Sequence, residues 1–154
     1  MTLSDDELKQ AIVDALADHT VLTMATQGET GPHVVSLMYA YKEFDLYWLS
    51  NPAAGHSGHL EKGSRGAVSI ARQYDDFQNI KGLQMSGQGL RLEQGAEAKD
   101  GFALLTVRYP FLRAFAAGEL ASHLDKAAVY RFRPERITLI DNTRGFGFRQ
   151  TLQL

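Results

Sequence analysis

The feature that most constrains the fold of this chain is a series of short β-rich segments joined by turns. Thr20 to Thr26 is followed by Gln27 to Pro32, a segment typical of a hairpin turn. Further strands are predicted at His33 to Lys42, Phe44 to Leu49, Ala67 to Gln73, Asn79 to Leu92, and as a pair at Ala127 to Phe132 and Ile137 to Asp141, around Arg133 to Arg136. Six or seven strands with mostly short connections favour a closed antiparallel barrel with added helices.

Three glycines interrupt the longest of these predicted strands. Gly82, Gly87 and Gly89 all fall within Asn79 to Leu92. Glycine inside a strand suggests a bulge, a sharp bend or the close approach of another group. Small barrels need such bends in order to close.

Helices are predicted on either side of the strands. Ser4 and Glu7 have the spacing of a capping box at the start of a helix from Ser4 to His19. Ala96 to Val107 is predicted as a helix, Pro110 marks a break, and Phe111 to Leu124 is a second helical candidate. With 154 residues, the chain is expected to form one domain. Its predicted parts are an N-terminal helix (4–19), a barrel core (20–141) and a C-terminal tail (142–154).

Composition excludes several classes of function. The formal net charge of −2 gives no reason to expect nucleic acid or an acidic membrane as partner. The absence of cysteine excludes disulfides, thiolate nucleophiles and cysteine-ligated metals. The acidic, polar N-terminus does not resemble a signal peptide, and no apolar run approaches the roughly 20 residues of a membrane helix. We expect a soluble cytoplasmic protein.

The segment from Leu46 to Leu60 is the strongest candidate for a binding site. A predicted strand ends at Ser50-Asn51-Pro52 and gives way to a small-residue turn before Ser57. Small residues allow a ligand to approach the backbone, and the N–H groups at a helix start favour an anion. We predict that a cofactor phosphate binds here. His56 and His59 have the spacing of a metal pair, but no third ligand is evident, so no metal site is expected.

Four motifs occur along the chain in a recognisable order: Leu49-Ser-Asn-Pro followed by His56-Ser57, Asp75 to Gly87, Tyr109-Pro110, and Asp141-Asn-Thr-Arg-Gly-Phe-Gly147. Their order and spacing resemble the pyridoxamine 5′-phosphate oxidase-like family of FMN-binding split barrels, and the last motif resembles a poorly characterised branch of it. The resemblance covers roughly Thr20 to Phe148. It implies an α+β fold, an antiparallel split β-barrel, and a homodimer with one flavin in each of two interface clefts.

The resemblance also implies a set of cofactor-binding residues. Gly55 stands where the family usually has the arginine of a basic pair, and His56 stands at the second basic position. An arginine–phosphate contact is strong and bidentate, so the absence of this arginine would weaken FMN binding. The alternative cofactors are FAD, a deazaflavin and haem. No catalytic residue is identified. The implied ring contacts are Ser36, Leu37 and Met38; the phosphate contacts are Ser50, Asn51, His56 and Ser57; Lys81 and Gln84 are candidates for either.

The resemblance leaves three functions open. The first is a flavin-dependent oxidoreductase acting as a homodimer on a small molecule. The second is a non-enzymatic flavin- or haem-binding protein, and the third is a dimeric scaffold that has lost its cofactor. Two other features have alternative interpretations: Gly145 to Phe148 either covers a cofactor cleft or packs along the barrel, and the aromatic residues Tyr39, Tyr41, Tyr47 and Trp48 either stack on a cofactor or fill the core.

Overall fold

The computed structural model describes residues 1–118 and 121–154, and its centre is one antiparallel sheet of eight strands. Seven of them follow the order β2-β1-β5-β6-β7-β4-β3, and the eighth, β8, pairs with β7. The strands are β1 (Val21–Gly28), β2 (Gly31–Met38), β3 (Ala40–Lys42), β4 (Asp45–Ser50), β5 (Ser64–Ala71), β6 (Lys81–Arg91), β7 (Ala128–Asp141) and β8 (Arg149–Gln153).

The sheet curls into a split barrel because its two edges are consecutive in the chain. β2 forms one edge and β3 the other, and Tyr39 alone separates them. The N–H of Tyr39 donates to the carbonyl of Thr20, 3.1 Å away. The predicted fold is therefore confirmed. The prediction of one continuous strand from His33 to Lys42 is wrong, because the chain changes edges at Tyr39.

The helices lie at the ends and sides of the barrel. The N-terminal capping box is present: the Ser4 hydroxyl accepts from the N–H of Glu7, and the Glu7 carboxylate accepts from the N–H of Ser4 at 2.7 Å. Glu119 and Leu120, within the predicted helix from Phe111 to Leu124, lie outside the described residues. The helices are α1 (Asp5–Asp18), α2 (Gly55–Leu60), α3 (Ala96–Arg108), α4 (Phe111–Ala117) and α5 (Ala121–Asp125).

β7 is one long strand, so the predicted strand pair around Arg133 to Arg136 is wrong. Proline can occupy a strand where its missing N–H is not needed, such as a bulge. Pro134 pairs with Gly87, at the point where the register between β6 and β7 shifts. A Cβ on Gly87 would lie 2.2 Å from the carbonyl oxygen of Arg133. Of the bulge, bend or close approach suggested for the β6 glycines, the structure shows a close backbone approach at Gly87 and a register shift beside it, with the extra residue, Glu135, in β7. This irregularity accommodates the proline.

The C-terminal tail pairs with the sheet through its last strand, β8. Asp141 accepts hydrogen bonds from the N–H and hydroxyl of Thr143 and from Arg144, and this holds a short 3₁₀ helix, Asn142–Arg144. β8 then pairs along β7 from Ile140 to Arg136. Phe148 packs against the main core, whereas Phe146 is 81% exposed, so the end of the Gly145 to Phe148 segment lies along the barrel and its tip does not.

The strand aromatics fill the core. Trp48 and Tyr130 are fully buried and stack with ring centroids 5.8 Å apart. Tyr39 and Tyr47 are buried as well. The interpretation of these side chains as core is therefore correct. Among the described residues, no helix is long and apolar enough to cross a membrane.

Candidate functional site

The turn between β4 and α2 brings the predicted phosphate-binding residues to one end of the barrel. The side-chain oxygen of Asn51 accepts from the N–H of Ala53 at 2.9 Å, an Asx turn that ends the strand. The helix that follows has six residues, and it buries His56, Ser57 and Leu60. The small-residue turn predicted here is confirmed. The side-chain oxygen of Asn51, a predicted phosphate contact, accepts the hydrogen bond that forms this turn.

Three imidazoles meet at this end of the barrel, and we call them the histidine cluster: His33, His56 and His59. The rings of His33 and His56 are nearly parallel, with centroids 6.1 Å apart and an interplanar angle of 10°. The ring of His59 meets that of His33 edge-on, also at 6.1 Å. The cluster combines two positions of α2 with one position of β2.

Hydroxyl groups fix two of these rings. The hydroxyl of Ser50 and Nε2 of His56 share a hydrogen bond of 2.6 Å. The hydroxyl of Thr26 and Nδ1 of His59 share one of 2.8 Å. The four residues come from β1, β4 and α2, so the rings are oriented by three separate elements.

The surroundings of His56 favour its neutral imidazole in the free protein. The pKa of His56 is lowered from its ordinary value, first by burial and then by the charges of His33 and His59. A buried cation loses hydration, and each neighbouring imidazolium repels it. Among the described residues, no group of three or more His, Cys, Asp or Glu side chains is arranged to hold a metal ion.

Ser57 and two glycines complete the surroundings. The hydroxyl of Ser57 is fully buried and has no hydrogen-bond partner among the described residues. A Cβ on Gly28 would lie 2.1 Å from Nε2 of His59, so the strand passes directly against that ring. A Cβ on Gly55 would lie 3.9 Å from Cε1 of His33, its nearest neighbour. The site therefore has room beside His33.

The predicted ring contacts lie along β2 and across the outer face of the sheet. Ser36 is exposed there, and its hydroxyl is 3.4 Å from that of Thr23. Met38 is also exposed on this face, whereas Leu37 packs against the barrel core. We call the following set the outer row, because the strand register places its members side by side: Ser36, Thr23, Ser69 and Gln84.

The structure separates Lys81 from the histidine cluster within one chain. Lys81 begins β6 and pairs with Asp141, whereas α2 reaches the same strand at Gly89, where a Cβ would lie 3.0 Å from Leu60. Gly89 lies eight positions beyond Lys81 along the strand, about 26 Å at the usual rise. Gln84 lies between these ends and accepts from Arg149 at 3.4 Å.

His33 is the site residue that sequence reasoning missed. The β1–β2 hairpin places it opposite Thr26, and the predicted turn from Gln27 to Pro32 contained the signal for that pairing. His33 lies beside α2 because the chain after β4 packs this helix against β2. The spacing of residues in the sequence does not predict that tertiary contact.

Comparison with known proteins agrees with this architecture. The sequence model of the pyridoxamine 5′-phosphate oxidase family matches residues 8–141. A UPF0306 protein of Photorhabdus laumondii is 26% identical over 140 residues, which is 90% of each chain.

Two solved structures share the fold at low sequence identity. The heme binding protein of Mycobacterium smegmatis superposes with a TM-score of 0.74 at 17% identity, over 99% of this chain; the chain spans 59% of that protein. A FAD-binding protein of Mesorhizobium loti superposes with a TM-score of 0.65 at 21% identity, over 89% of this chain and 94% of its own.

Proposed function

Because this chain belongs to the pyridoxamine 5′-phosphate oxidase family, we propose that it binds FMN at the histidine cluster and acts as a flavin-dependent oxidoreductase in a homodimer. The phosphate would bind at the α2 end of the barrel, and the ring would lie toward the outer face of β2. The Photorhabdus laumondii protein, similar along most of the chain, extends the resemblance to a poorly characterised branch of the family.

The convergence of hydroxyl and imidazole groups around α2 carries this proposal. Ser50 and His56 are joined at 2.6 Å, and the Ser57 hydroxyl is buried without a partner among the described residues. An unsatisfied buried hydroxyl costs about 1–3 kcal/mol. A phosphate oxygen is a strong acceptor, so this donor set fits a phosphate group.

The placement of the ring follows from the direction of β2. Ser36 is three residues from His33 along the same strand, about 10 Å at the usual rise. Met38 continues this direction on the same outer face. Because side chains alternate between the two faces of a strand, His33 and Ser36 lie on opposite faces of β2, which is an edge strand. A ligand with an anion at one end and a flat ring at the other would thus pass over this edge, from the histidine cluster to the outer face.

Bound flavin would supply the hydride chemistry, and this chain would bind, orient and shield it. On β2, the exposed side chains beside the proposed ring position are the hydroxyl of Ser36 and the thioether of Met38. Neither group has a pKa near neutral pH, as a general acid in the reaction would need. We therefore assign to the chain the positioning of cofactor and substrate and the exclusion of water.

The dimer proposal rests on the outer face of β1, β2 and β5. Val34 is 64% exposed there, and Val21 and Met38 are more than 40% exposed. Exposed apolar side chains clustered on one face mark an interaction surface, and twofold pairing is the commonest way to cover one. The same face carries the outer row, so a partner subunit would border the proposed ring position.

A visible absorption spectrum of freshly purified protein tests the cofactor, with mass spectrometry of any small molecule released on denaturation. If none co-purifies, the protein is titrated with FMN, FAD and a deazaflavin. We expect a flavin spectrum, and weaker binding in His56→Ala than in the control His123→Ala, whose histidine is exposed on α5. Colourless protein with no spectral response to any of the three would contradict the proposal.

Haem binding without catalysis is the second candidate. The similarity to the Mycobacterium smegmatis heme binding protein and the exposed imidazole of His33 favour it, because histidine is a common axial ligand. A Soret band that appears on haem titration and is lost in His33→Ala would support it. Steady NAD(P)H-dependent turnover with bound flavin would favour the oxidoreductase instead.

A further inference from the structure

We propose that the histidine cluster is a protonation-gated anion site, so that it holds the phosphate of a bound cofactor more tightly at pH 6.5 than at pH 8. This inference rests on the proposed function. It adds the source of the positive charge and the pH dependence of affinity that follows from that source.

The geometry of the cluster suits one shared anion. His33 and His56 present nearly parallel rings 6.1 Å apart, and His59 approaches His33 edge-on at the same distance. Hydroxyls engage one nitrogen each of His56 and His59. A protonated imidazole donates from both nitrogens, so protonation gives each of these rings a second donor.

The charged groups on the elements packed against α2 are already paired or lie outside the cluster. Arg91 of β6 is paired with Glu61, which follows the helix, at 3.0 Å. Lys81 is at the far end of β6, Glu29 lies in the β1–β2 turn, and Lys62 follows Glu61. The charges that act on His56 are those of His33 and His59.

These neighbours make protonation and anion binding cooperative. Burial and repulsion from His33 and His59 lower the pKa of His56, so the His56 ring is uncharged at pH 8. A phosphate ester removes the repulsion and raises the pKa of each ring that it contacts. The ester itself keeps most of its charge above pH 6.5, because its second pKa is about 6. The change in affinity between pH 6.5 and 8 would therefore come from the histidines.

A substitution at Gly55 can add a fixed positive charge beside the histidine cluster. Its Cβ position is 3.9 Å from the His33 ring and meets no closer neighbour. An arginine here would add a charge that does not titrate in this range. Gly58, on the same helix, has open space around its Cβ position and serves as the control position.

The experiment measures the Kd of FMN and of riboflavin, which lacks the phosphate, at pH 6.5, 7.25 and 8. We expect the Kd of FMN to rise about thirtyfold over this range if one proton is taken up on binding, because each pH unit then changes the Kd about tenfold, and that of riboflavin to stay constant. His33→Asn should flatten the FMN profile. Gly55→Arg should bind FMN more tightly than the unmodified protein at pH 8 and show a shallower pH profile, because its charge does not titrate in this range, and Gly58→Arg should behave as the unmodified protein. Melting curves confirm that each variant is folded.

The outcomes separate this inference from the proposed function. A flat FMN profile, or the same profile for riboflavin, would overturn the inference and leave flavin binding intact. If no flavin binds, NMR titration of the imidazole Cε1–H signals with inorganic phosphate decides. In that case the proposed function has failed, and pKa values of His33 and His56 that rise with phosphate would still support the anion site. Unchanged pKa values would overturn the anion site as well.

Discussion

The guanidinium of Arg108 lies over the ring of Tyr39, 4.8 Å from its centroid, and donates to the Tyr39 carbonyl at 3.2 Å. It also donates to the carbonyl of Leu16 at 3.0 Å, near the end of α1. Tyr39 is the residue at which the chain passes from one edge of the sheet to the other. Arg108 therefore joins α3 and α1 to the point where the barrel closes.

Removal of this side chain should destabilise the fold. Arg108→Ala loses charged hydrogen bonds to carbonyls and a cation–π contact, and we expect the free energy of unfolding to fall by about 2 kcal/mol. Arg108→Lys should recover part of it. Urea denaturation measures both, with the exposed Arg113→Ala as control. Equal midpoints for Arg108→Ala and Arg113→Ala would contradict this account.

The stability of the free protein should decrease in mild acid. The pKa of His56 is lowered in the folded state, so below the ordinary value of about 6.5 the unfolded chain binds more protons. Stability then falls as the pH drops through that value toward the lower folded pKa. His56→Asn should reduce the change in denaturation midpoint between pH 7.5 and 5.5, and His123→Asn should leave it unaltered. An unchanged pH profile in His56→Asn would assign the acid sensitivity to another group.

Local chemistry predicted some elements well. The α1 cap needs Ser4 and Glu7 alone, and its hydrogen bonds form within one turn. The close backbone approach at Gly87 was also indicated, because glycine is required where a carbonyl approaches closely. Such features depend on residues that are close together in the sequence, so residue type and spacing are enough to predict them.

Gly28 should be intolerant of a side chain, because its strand passes against His59. Gly28→Ala would place a methyl group 2.1 Å from the present position of Nε2, displacing the ring and breaking its hydrogen bond to Thr26. We expect a loss of about 1 kcal/mol together with weaker FMN binding.

Gly58→Ala is the matched control, since its Cβ position is open and alanine favours a helix by up to about 1 kcal/mol. Thermal melting should lower the Tm of Gly28→Ala and maintain or raise that of Gly58→Ala. The reverse order would contradict the placement of His59.

A charge on the outer face should disrupt the proposed dimer. Val34 is 64% exposed on β2 and Val107 is 71% exposed on α3. Val34→Glu would bury a charge between subunits, whereas Val107→Glu adds the same charge elsewhere. Analytical ultracentrifugation at micromolar concentration should find a monomer for Val34→Glu and a dimer for Val107→Glu. A monomer for the unmodified protein would remove the dimer proposal.

Features that depend on distant parts of the chain were missed. The division at Tyr39 follows from the closure of the sheet, and Pro134 is accommodated in β7 because Gly87 lies opposite. β8 was assigned to the tail because its pairing with β7 leaves little local signal. His33 of β2 stacks on His56 because α2 packs against β2. Each case requires the register of strands far apart in sequence.

The affinity of the protein for FMN relative to riboflavin, measured at pH 6.5 by quenching of flavin fluorescence, tests the central claim most directly. We predict that FMN binds at least about tenfold more tightly, a difference of 1.4 kcal/mol, and that His56→Ala reduces this preference. Equal affinities, or a preference that is unaltered in His56→Ala, would contradict a phosphate site at the α2 end of the barrel.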